Sequence, residues 1–256
     1  METWIEFGRG PLFRIAFALM LLGLLRAVTL TLIGIVEAYR RSPDKIVNWR
    51  EVRSQTFAWL FPFTRLWRAR PVYSTLSFLF HAGLLVVPLF LAAHLLLWKR
   101  STGLGWYAIP HGLANSLTGL AIVAGIGLCV GRLIDPSARK MSRPQDFGWL
   151  LLLVVPFVSG FLCTNVAIGA KAYQSLMLLH IYSANLIMLL IPFTKLSHCI
   201  LAPLSQTVTA IAWKFPAGAG DRVAVTLGYA DRPSWIPKAR LDKPPSREIC
   251  GEVVAK

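Results

Sequence analysis

The sequence predicts an all-α integral membrane protein built as a bundle of five transmembrane helices. Of its 256 residues, 55% are hydrophobic and only 15% are charged, whereas a soluble domain of this length would carry roughly a quarter charged residues. The mean hydropathy is +0.56. Five apolar runs are each long enough to cross the roughly 30 Å hydrocarbon core of a bilayer as a helix. Composition and run length together therefore predict the fold class.

The limits of the spans follow from the charged and turn-forming residues that bound the apolar runs. Spans are predicted at about residues 12–36, 72–98, 112–132, 147–168 and 174–200. The first follows Gly10-Pro11, because proline suits the first turn of a helix. The third is rich in glycine, which allows helices to approach closely in a membrane. Residues 1–200 thus form the membrane domain, and the polar residues 201–256 are predicted to be an extramembrane tail that docks a partner.

Residues 37–71 form a polar connection in which basic and aromatic side chains are mixed. The basic residues are Arg40, Arg41, Lys45, Arg50, Arg53, Arg65, Arg68 and Arg70, and the aromatic ones are Trp49, Phe57, Trp59, Phe61, Phe63 and Trp67. This mixture is typical of a helix that lies in the lipid headgroup layer. The same surface could instead receive a partner subunit, and the interfacial anchor is the simpler interpretation.

The distribution of Lys and Arg predicts the orientation of the bundle. Lys and Arg total 27 against 12 Asp and Glu, for a net charge of +15. With the N-terminus outside, connections 37–71 and 132–147 carry twelve basic residues and the tail eight more, whereas the outside segments carry five. Cytoplasmic connections are enriched in basic residues, so we predict an outside N-terminus and a cytoplasmic C-terminus. The positive charge then reflects topology, and no nucleic-acid partner is expected.

Four histidines lie in the second and fifth spans, and they pair by depth. His180 and His198 are eighteen residues apart, which is about 27 Å and five turns of an ideal helix, so both rings leave one face. In the predicted topology the second span is antiparallel to the fifth. This places His81 level with His198 near the cytoplasmic side, and His94 level with His180 near the outer side. Two facing imidazoles at each of two depths indicate two bis-histidine haem b groups stacked across a helical bundle.

The step from His81 to His94 departs from this geometry. Thirteen residues correspond to about 20 Å and about 220° of rotation, so an ideal helix would not present both rings on one face. Pro88 lies between the two histidines and can kink or rewind a helix. His111, at the start of the third span, is therefore a reserve ligand for the outer haem.

These features resemble the gamma (cytochrome b) subunit of respiratory nitrate reductase and its relatives. The resemblance covers roughly residues 10–200. It rests on the five spans, on FHAG around His81 with His94 later in the same span, and on LLHIYSANLIMLLIPFTKLSH with its eighteen-residue step. Positions carried over from the family would place His81 and His198 on the cytoplasmic-side haem, and His94 and His180 on the outer one.

The resemblance also implies a role and a location. Members of this family hold two haem b groups in the inner (cytoplasmic) membrane and carry electrons between a quinone pool and a cytoplasmic iron–sulfur partner subunit. The histidines of the second span are further apart here than in the nitrate reductase subunit, and the 37–71 connection is longer. We therefore favour the membrane cytochrome subunits of sulfite-reductase-associated or heterodisulfide-reductase-like complexes as the nearer type. Either direction of electron transfer is compatible with these residues.

Three further residues are candidates for secondary roles. Arg26 lies well inside the first span, where an arginine is costly unless it snorkels or meets an anion such as a haem propionate. Lys99 and His111 flank the outer connection close to His94 and are the candidates for a quinone site, although headgroup contact explains Lys99 equally well. The four cysteines occur singly without a CxxC motif. This argues against a c-type haem, an iron–sulfur cluster or a zinc site made by this chain alone.

Two other classes of protein remain open. The first is a non-redox membrane anchor in which the histidines only pack, and the second is a histidine-containing transporter. A proton-coupled carrier is expected to place acidic residues inside its spans. Glu37 and Asp135 instead lie at span ends, which counts against the transporter.

Overall fold

The computed structural model describes residues 1–42, 47–60 and 70–212. Within these ranges the regular elements are helices and no strand occurs: α1 (Glu2–Phe7), a π-helical turn (Gly8–Leu12), α2 (Phe13–Arg41), α3 (Trp49–Leu60), α4 (Pro71–Phe90), α5 (Ala92–Thr102), α6 (His111–Ile134), α7 (Pro136–Met141), α8 (Pro144–Asn165), α9 (Ala170–Leu190), two 3-10 turns (Ile191–Phe193 and Lys195–Ser197) and α10 (His198–Ala212). Lys45, the basic and aromatic residues between 61 and 69, and the tail from residue 213 lie outside the described residues.

Five helical runs have the length and composition to cross a membrane. They are Glu2–Arg41, Pro71–Phe90, His111–Ile134, Pro144–Asn165 and Ala170–Phe193. This confirms the helical class and the number of spans. The first run is longer than predicted, because α1, the π-helical turn and α2 follow one another without a break. Pro11 lies inside the run, where the π-helical turn accommodates a residue without an N–H, so it does not mark the start of a helix.

The chain divides into two compact units. The larger consists of Met1–Leu32 with Trp49–Thr207 and contains all four histidines of the predicted site. The smaller consists of Ile33–Asn48 with Val208–Lys256. In the described part of the smaller unit, Arg41 forms an ion pair with Glu37 one helical turn earlier.

Helices α4, α6 and α8 surround the hydrophobic core. Its buried members are Phe80, Val87, Ala121, Ala124, Leu128, Leu150, Leu153, Val154 and Phe157. Glycines let these helices approach closely: a Cβ at Gly83 would lie 2.5 Å from the Ala121 Cβ, and one at Gly125 would lie 2.5 Å from Val154 Cγ2. Lipid is as apolar as the side chains, so close packing at small residues holds such bundles together. Helix α9 then packs on α8 and brings the fifth span to the core.

The described part of the 37–71 connection contains helix α3. Trp49 and Phe57 are exposed on it, as are Arg50 and Arg53, whereas Val52 is buried. A short helix with exposed aromatic and basic side chains has the composition expected of an interfacial anchor.

The fifth span is not one continuous helix, and the prediction that His180 and His198 share five ideal turns is wrong. Helix α9 ends at Leu190, Thr194 is extended with φ −129° and ψ 179°, and α10 begins at His198. Pro192 lacks the N–H that a continuing helix needs, and its ring crowds the preceding turn. The run long and apolar enough to cross a membrane ends at Phe193, and the predicted boundary at residue 200 falls inside α10.

Candidate functional site

The structure brings four histidines together as two pairs. His81 and His180 lie in the spans Pro71–Phe90 and Ala170–Phe193, whereas His94 in α5 and His198 in α10 lie beyond the ends of these spans, which are shorter than the predicted 72–98 and 174–200. In the 94/180 pair, the ring centroids of His94 and His180 are 5.9 Å apart and the ring planes differ by 13°. In the 81/198 pair, the centroids of His81 and His198 are 6.1 Å apart and the planes differ by 76°. These are the two pairs that the depth argument predicts. The 94/180 pair is half-buried, whereas the 81/198 pair is exposed.

The spacing within each pair fits two axial ligands of one metal. An imidazole nitrogen binds a transition metal at about 2 Å, so two ligands on opposite sides have nitrogens about 4 Å apart and ring centres about 6 Å apart. Each pair supplies two ligands, the number of axial positions that a porphyrin leaves open on its iron. Within the described ranges, no group of three or more His, Cys, Asp or Glu converges in a way that could hold a metal ion.

All four imidazoles place Nδ1 against a main-chain carbonyl. The contacts are His81 Nδ1 to Ser77 O at 2.7 Å, His94 Nδ1 to Val87 O at 3.2 Å, His180 Nδ1 to Pro156 O at 2.8 Å and His198 Nδ1 to Lys195 O at 2.6 Å. A carbonyl oxygen only accepts, so Nδ1 donates and the Nε2 of a neutral imidazole keeps its lone pair. Histidines that bind metals almost always hold their second nitrogen in this way. The four side chains therefore all present Nε2 as a ligand.

A break at Leu91 separates the helix that carries His81 from the helix that carries His94. Helix α4 passes through Pro88 and ends at Phe90, Leu91 is extended with φ −69° and ψ 130°, and α5 begins at the next residue. The kink expected at Pro88 therefore lies three residues later. An extended residue resets the rotation of the helix, so the phase of about 220° calculated for a continuous helix does not apply.

The carbonyls that this break releases are all bonded. Three of them accept from donors further along the chain: Pro88 O from Trp98 Nε1 at 3.2 Å, Leu89 O from Trp106 Nε1 at 2.9 Å and Phe90 O from Ile109 N at 3.0 Å. Val87 O keeps its helical bond from Leu91 N and also accepts from His94 Nδ1. An unpaired carbonyl in an apolar environment costs several kcal/mol, so these donors stabilise the break. They also fold the 103–110 connection back onto it.

An aromatic cluster fixes α5 next to the break. The ring of Trp98 packs edge-on against Phe13 and Phe17 of α2, with centroid distances of 5.3 and 5.0 Å. Trp106 lies 6.3 Å from Trp98. Edge-to-face aromatic pairs contribute beyond the area they bury. The helix that carries His94 is therefore held by rings as well as by hydrogen bonds.

Helix α8 supplies both room and an acceptor for His180. Pro156 O accepts from its Nδ1. Opposite the ring stands Gly160, where an added Cβ would lie 2.9 Å from His180 Cε1 and 3.0 Å from Nδ1. No side chain fits between α8 and the imidazole at this position.

The remaining predicted residues lie apart from the pairs. Arg26 is exposed on α2, and within the described ranges no ion pair involves it. Lys99 is exposed in the last turn of α5, and His111 is exposed as the first residue of α6. His180 pairs with His94, so the structure does not bring in the reserve ligand.

Several residues that shape the site carry no signal in the sequence. Gly160 resembles any other glycine in a span, and only the packing of α9 on α8 shows that His180 fills its place. Asp146 and Lys195 are 49 positions apart and form an ion pair of 2.6 Å beside the turn that carries His198.

Comparison with known proteins shows a family relationship. A protein of Nitratidesulfovibrio vulgaris, which bears only the name "Protein", is 30% identical to this chain over 217 residues, covering 83% of this chain and 95% of the relative. The chain belongs to the family of that protein. No family model matches the sequence. No solved structure matches it either.

Proposed function

We propose that this chain is a dihaem b-type membrane cytochrome, the electron-transfer subunit of a respiratory complex. One observation carries the proposal: two facing histidine pairs with ring centroids 5.9 and 6.1 Å apart, in which all four Nδ1 atoms contact carbonyl oxygens. That combination of spacing and ring orientation suits bis-histidine ligation of haem at two separate sites.

The residues of the chain have defined tasks in this proposal. Haem bound at both pairs would supply a one-electron relay along the bundle. The imidazoles hold the iron, and the carbonyls at Nδ1 fix the ring orientation and raise the basicity of Nε2. The apolar core of α4, α6 and α8 keeps water from the path between the pairs. Arg26, which is exposed on α2, remains the candidate partner of a haem propionate.

The quinone site belongs to the outer end of the bundle in this proposal. Lys99 and His111 stand near the two ends of the 103–110 connection, which folds back onto the Leu91 break beside His94. A quinone headgroup there would exchange electrons with the haem of the 94/180 pair. The iron–sulfur partner would dock at the opposite, basic end, where α3 presents Arg50 and Arg53. In this proposal the iron–sulfur partner belongs to a complex of the sulfite-reductase-associated or heterodisulfide-reductase-like type.

The arrangement of acids favours a cytochrome over a proton-coupled transporter. In the described ranges four carboxylates lie near helix ends and form ion pairs: Glu6 with Arg9, Glu37 with Arg41, Asp135 with Arg70 and Asp146 with Lys195. A simple anchor would not require four imidazoles that lie in two close pairs, each with Nδ1 against a main-chain carbonyl. Neither the anchor nor the transporter therefore accounts for the two histidine pairs.

An optical spectrum of the purified chain tests the proposal. Dithionite-reduced minus oxidised spectra are expected to show a b-type α band, and pyridine haemochrome analysis about two haems per chain. Menaquinol or ubiquinol analogues are expected to reduce the haems without dithionite. A chain without haem from haem-sufficient cells would contradict the cytochrome, and haems reduced by dithionite but by none of the quinols would contradict the quinone site.

Cysteine labelling tests the proposed orientation in the inner membrane. In a background with the native cysteines replaced by serine, Gly105→Cys is expected to react with an impermeant maleimide in intact spheroplasts. Arg139→Cys in α7 is expected to react only after lysis, because the basic connections remain in the cytoplasm. A Cβ at Gly105 meets only ordinary contacts with Lys99, at 3.7 Å or more, so the probe itself is tolerated. The reverse labelling pattern would contradict an outside N-terminus.

A further inference from the structure

The turn before His198 differs from the surroundings of its partner. His81 lies inside α4, and its Nδ1 donates to Ser77 O one turn earlier in the same helix. His198 instead begins α10, after an extended Thr194 and the 3-10 turn Lys195–Ser197. Its ring is oriented by that turn, since Nδ1 donates to Lys195 O at 2.6 Å. The direction of the His198 ring therefore depends on what holds the turn in place.

Asp146 holds the turn from the first turn of α8. Its Oδ1 accepts from Lys195 Nζ at 2.6 Å, and its Oδ2 accepts from Arg143 N at 2.9 Å. Its carbonyl accepts from Arg132 Nη1 of α6 at 2.9 Å. The side chain of Asp146 is 18% exposed and that of Lys195 is 61% exposed, so the carboxylate is the more buried partner of the ion pair. The side chain of Lys195 is therefore bound by Asp146, and its main-chain oxygen accepts a hydrogen bond from the imidazole of His198.

We propose that Asp146 is a positioning residue for His198, and that its ion pair with Lys195 sets the angle between the two imidazoles of the 81/198 pair. This inference rests on the proposed haem-binding function. Partners of metal-bound histidines fix the orientation of the ring, and their loss typically lowers metal affinity by about 10- to 100-fold. Asp146 acts one step further out, through Lys195, so we expect the lower end of that range.

Electron paramagnetic resonance of the ferric protein tests the inference, because the spectrum of a low-spin haem depends on the angle between its axial imidazole planes. Asp146→Asn keeps an oxygen to accept from Arg143 N but loses the charge that holds Lys195. Lys195→Met removes Nζ and keeps the carbonyl. Each is expected to change the signal of the 81/198 haem, to speed its transfer to apomyoglobin by about 10-fold and to leave the 94/180 signal unchanged.

Asp135→Asn is the matched control. Asp135 also caps a helix, accepting from Ser137 N at 2.9 Å, and pairs with Arg70 at 2.9 Å. This substitution removes an ion pair at a neighbouring helix end without touching the turn before His198, so both signals are expected to stay unchanged. The double variant of Asp146→Asn with Lys195→Met should match either single variant, because both remove one interaction.

Failure of the inference is distinguishable from failure of the proposed function. If the unaltered chain holds no haem, the proposed function is wrong. If it holds two haems and neither Asp146→Asn nor Lys195→Met changes the signal of the 81/198 haem, the positioning role is wrong. A change of equal size in Asp135→Asn, or in the 94/180 signal, would also overturn the role, since it would reflect general loosening of the bundle.

Discussion

Alanine at His94 or at His180 is expected to remove the same single haem and to leave the other in place. The two rings face each other at 5.9 Å, so each supplies one axial ligand, and a site with one ligand removed loses most of its hold on the iron. Alanine at His81 or at His198 is expected to remove the other haem. The haem-to-protein ratio should fall from two to one in all four variants, and a redox titration should retain one of its two waves.

His111→Ala is the control for these four variants. The residue is an exposed histidine at the start of α6, and its replacement is expected to retain both haems. If His94→Ala and His180→Ala removed different haems, the pairing seen in the structure would be wrong. If His111→Ala removed a haem while His94→Ala did not, the reserve ligand would be the true one.

Gly160→Ala is expected to displace the His180 ring and to cost the 94/180 haem. The new Cβ would lie 2.9 Å from Cε1 and 3.0 Å from Nδ1, closer than side-chain atoms normally approach. The imidazole must turn away and give up its bond to Pro156 O. Overpacking of this kind costs about 1–3 kcal/mol, and here the strain falls on a ligand. Haem content and the midpoint potential of the remaining haem would measure the effect.

Gly119→Ala separates this strain from the general effect of replacing glycine in a helix. Gly119 lies inside α6 with no side chain or neighbouring helix within 4 Å of an added Cβ. Alanine favours a helix by about 1 kcal/mol over glycine at both positions, so only the contact with His180 differs. Gly119→Ala is expected to retain two haems. Two intact haems in Gly160→Ala as well would show that His180 is not held where the structure places it.

The number of spans was predictable because hydropathy and length suffice to recognise a membrane helix. Their ends were less predictable. Pro11 suggested the start of a helix, yet a π-helical turn carries the first run through it from Glu2. The last span was predicted to end at residue 200, yet the apolar run ends at Phe193 and residue 200 lies inside α10. A proline or a charged residue in the sequence does not show whether the helix continues through it, because that depends on contacts with neighbouring segments.

The pairing of the histidines was predictable from the rise of a helix along its axis, whereas the argument from helical rotation failed. Depth depends on the rise per residue, which tolerates a short irregular segment, so His81 and His198 were correctly placed at one level. Rotation accumulates at about 100° per residue, so a single extended residue invalidates any statement about helix faces. The eighteen-residue step from His180 to His198 matched whole turns of an ideal helix, and the thirteen-residue step from His81 to His94 did not. In the structure the helix is interrupted between the two histidines in both cases.

The sequence by itself determined that the chain holds five helical runs long and apolar enough to cross a membrane, and it predicted imidazoles at two depths, because composition and helical rise need no knowledge of contacts. Only the tertiary structure decided how the rings face one another. That depends on extended backbone at Leu91 and Thr194, and on partners far apart in the chain, such as Asp146 and Lys195. The break at Leu91 persists because donors from the 98–109 segment satisfy the released carbonyls, and the turn after Thr194 is tied to α8 by Asp146; the sequence of one segment does not reveal the partners that another supplies.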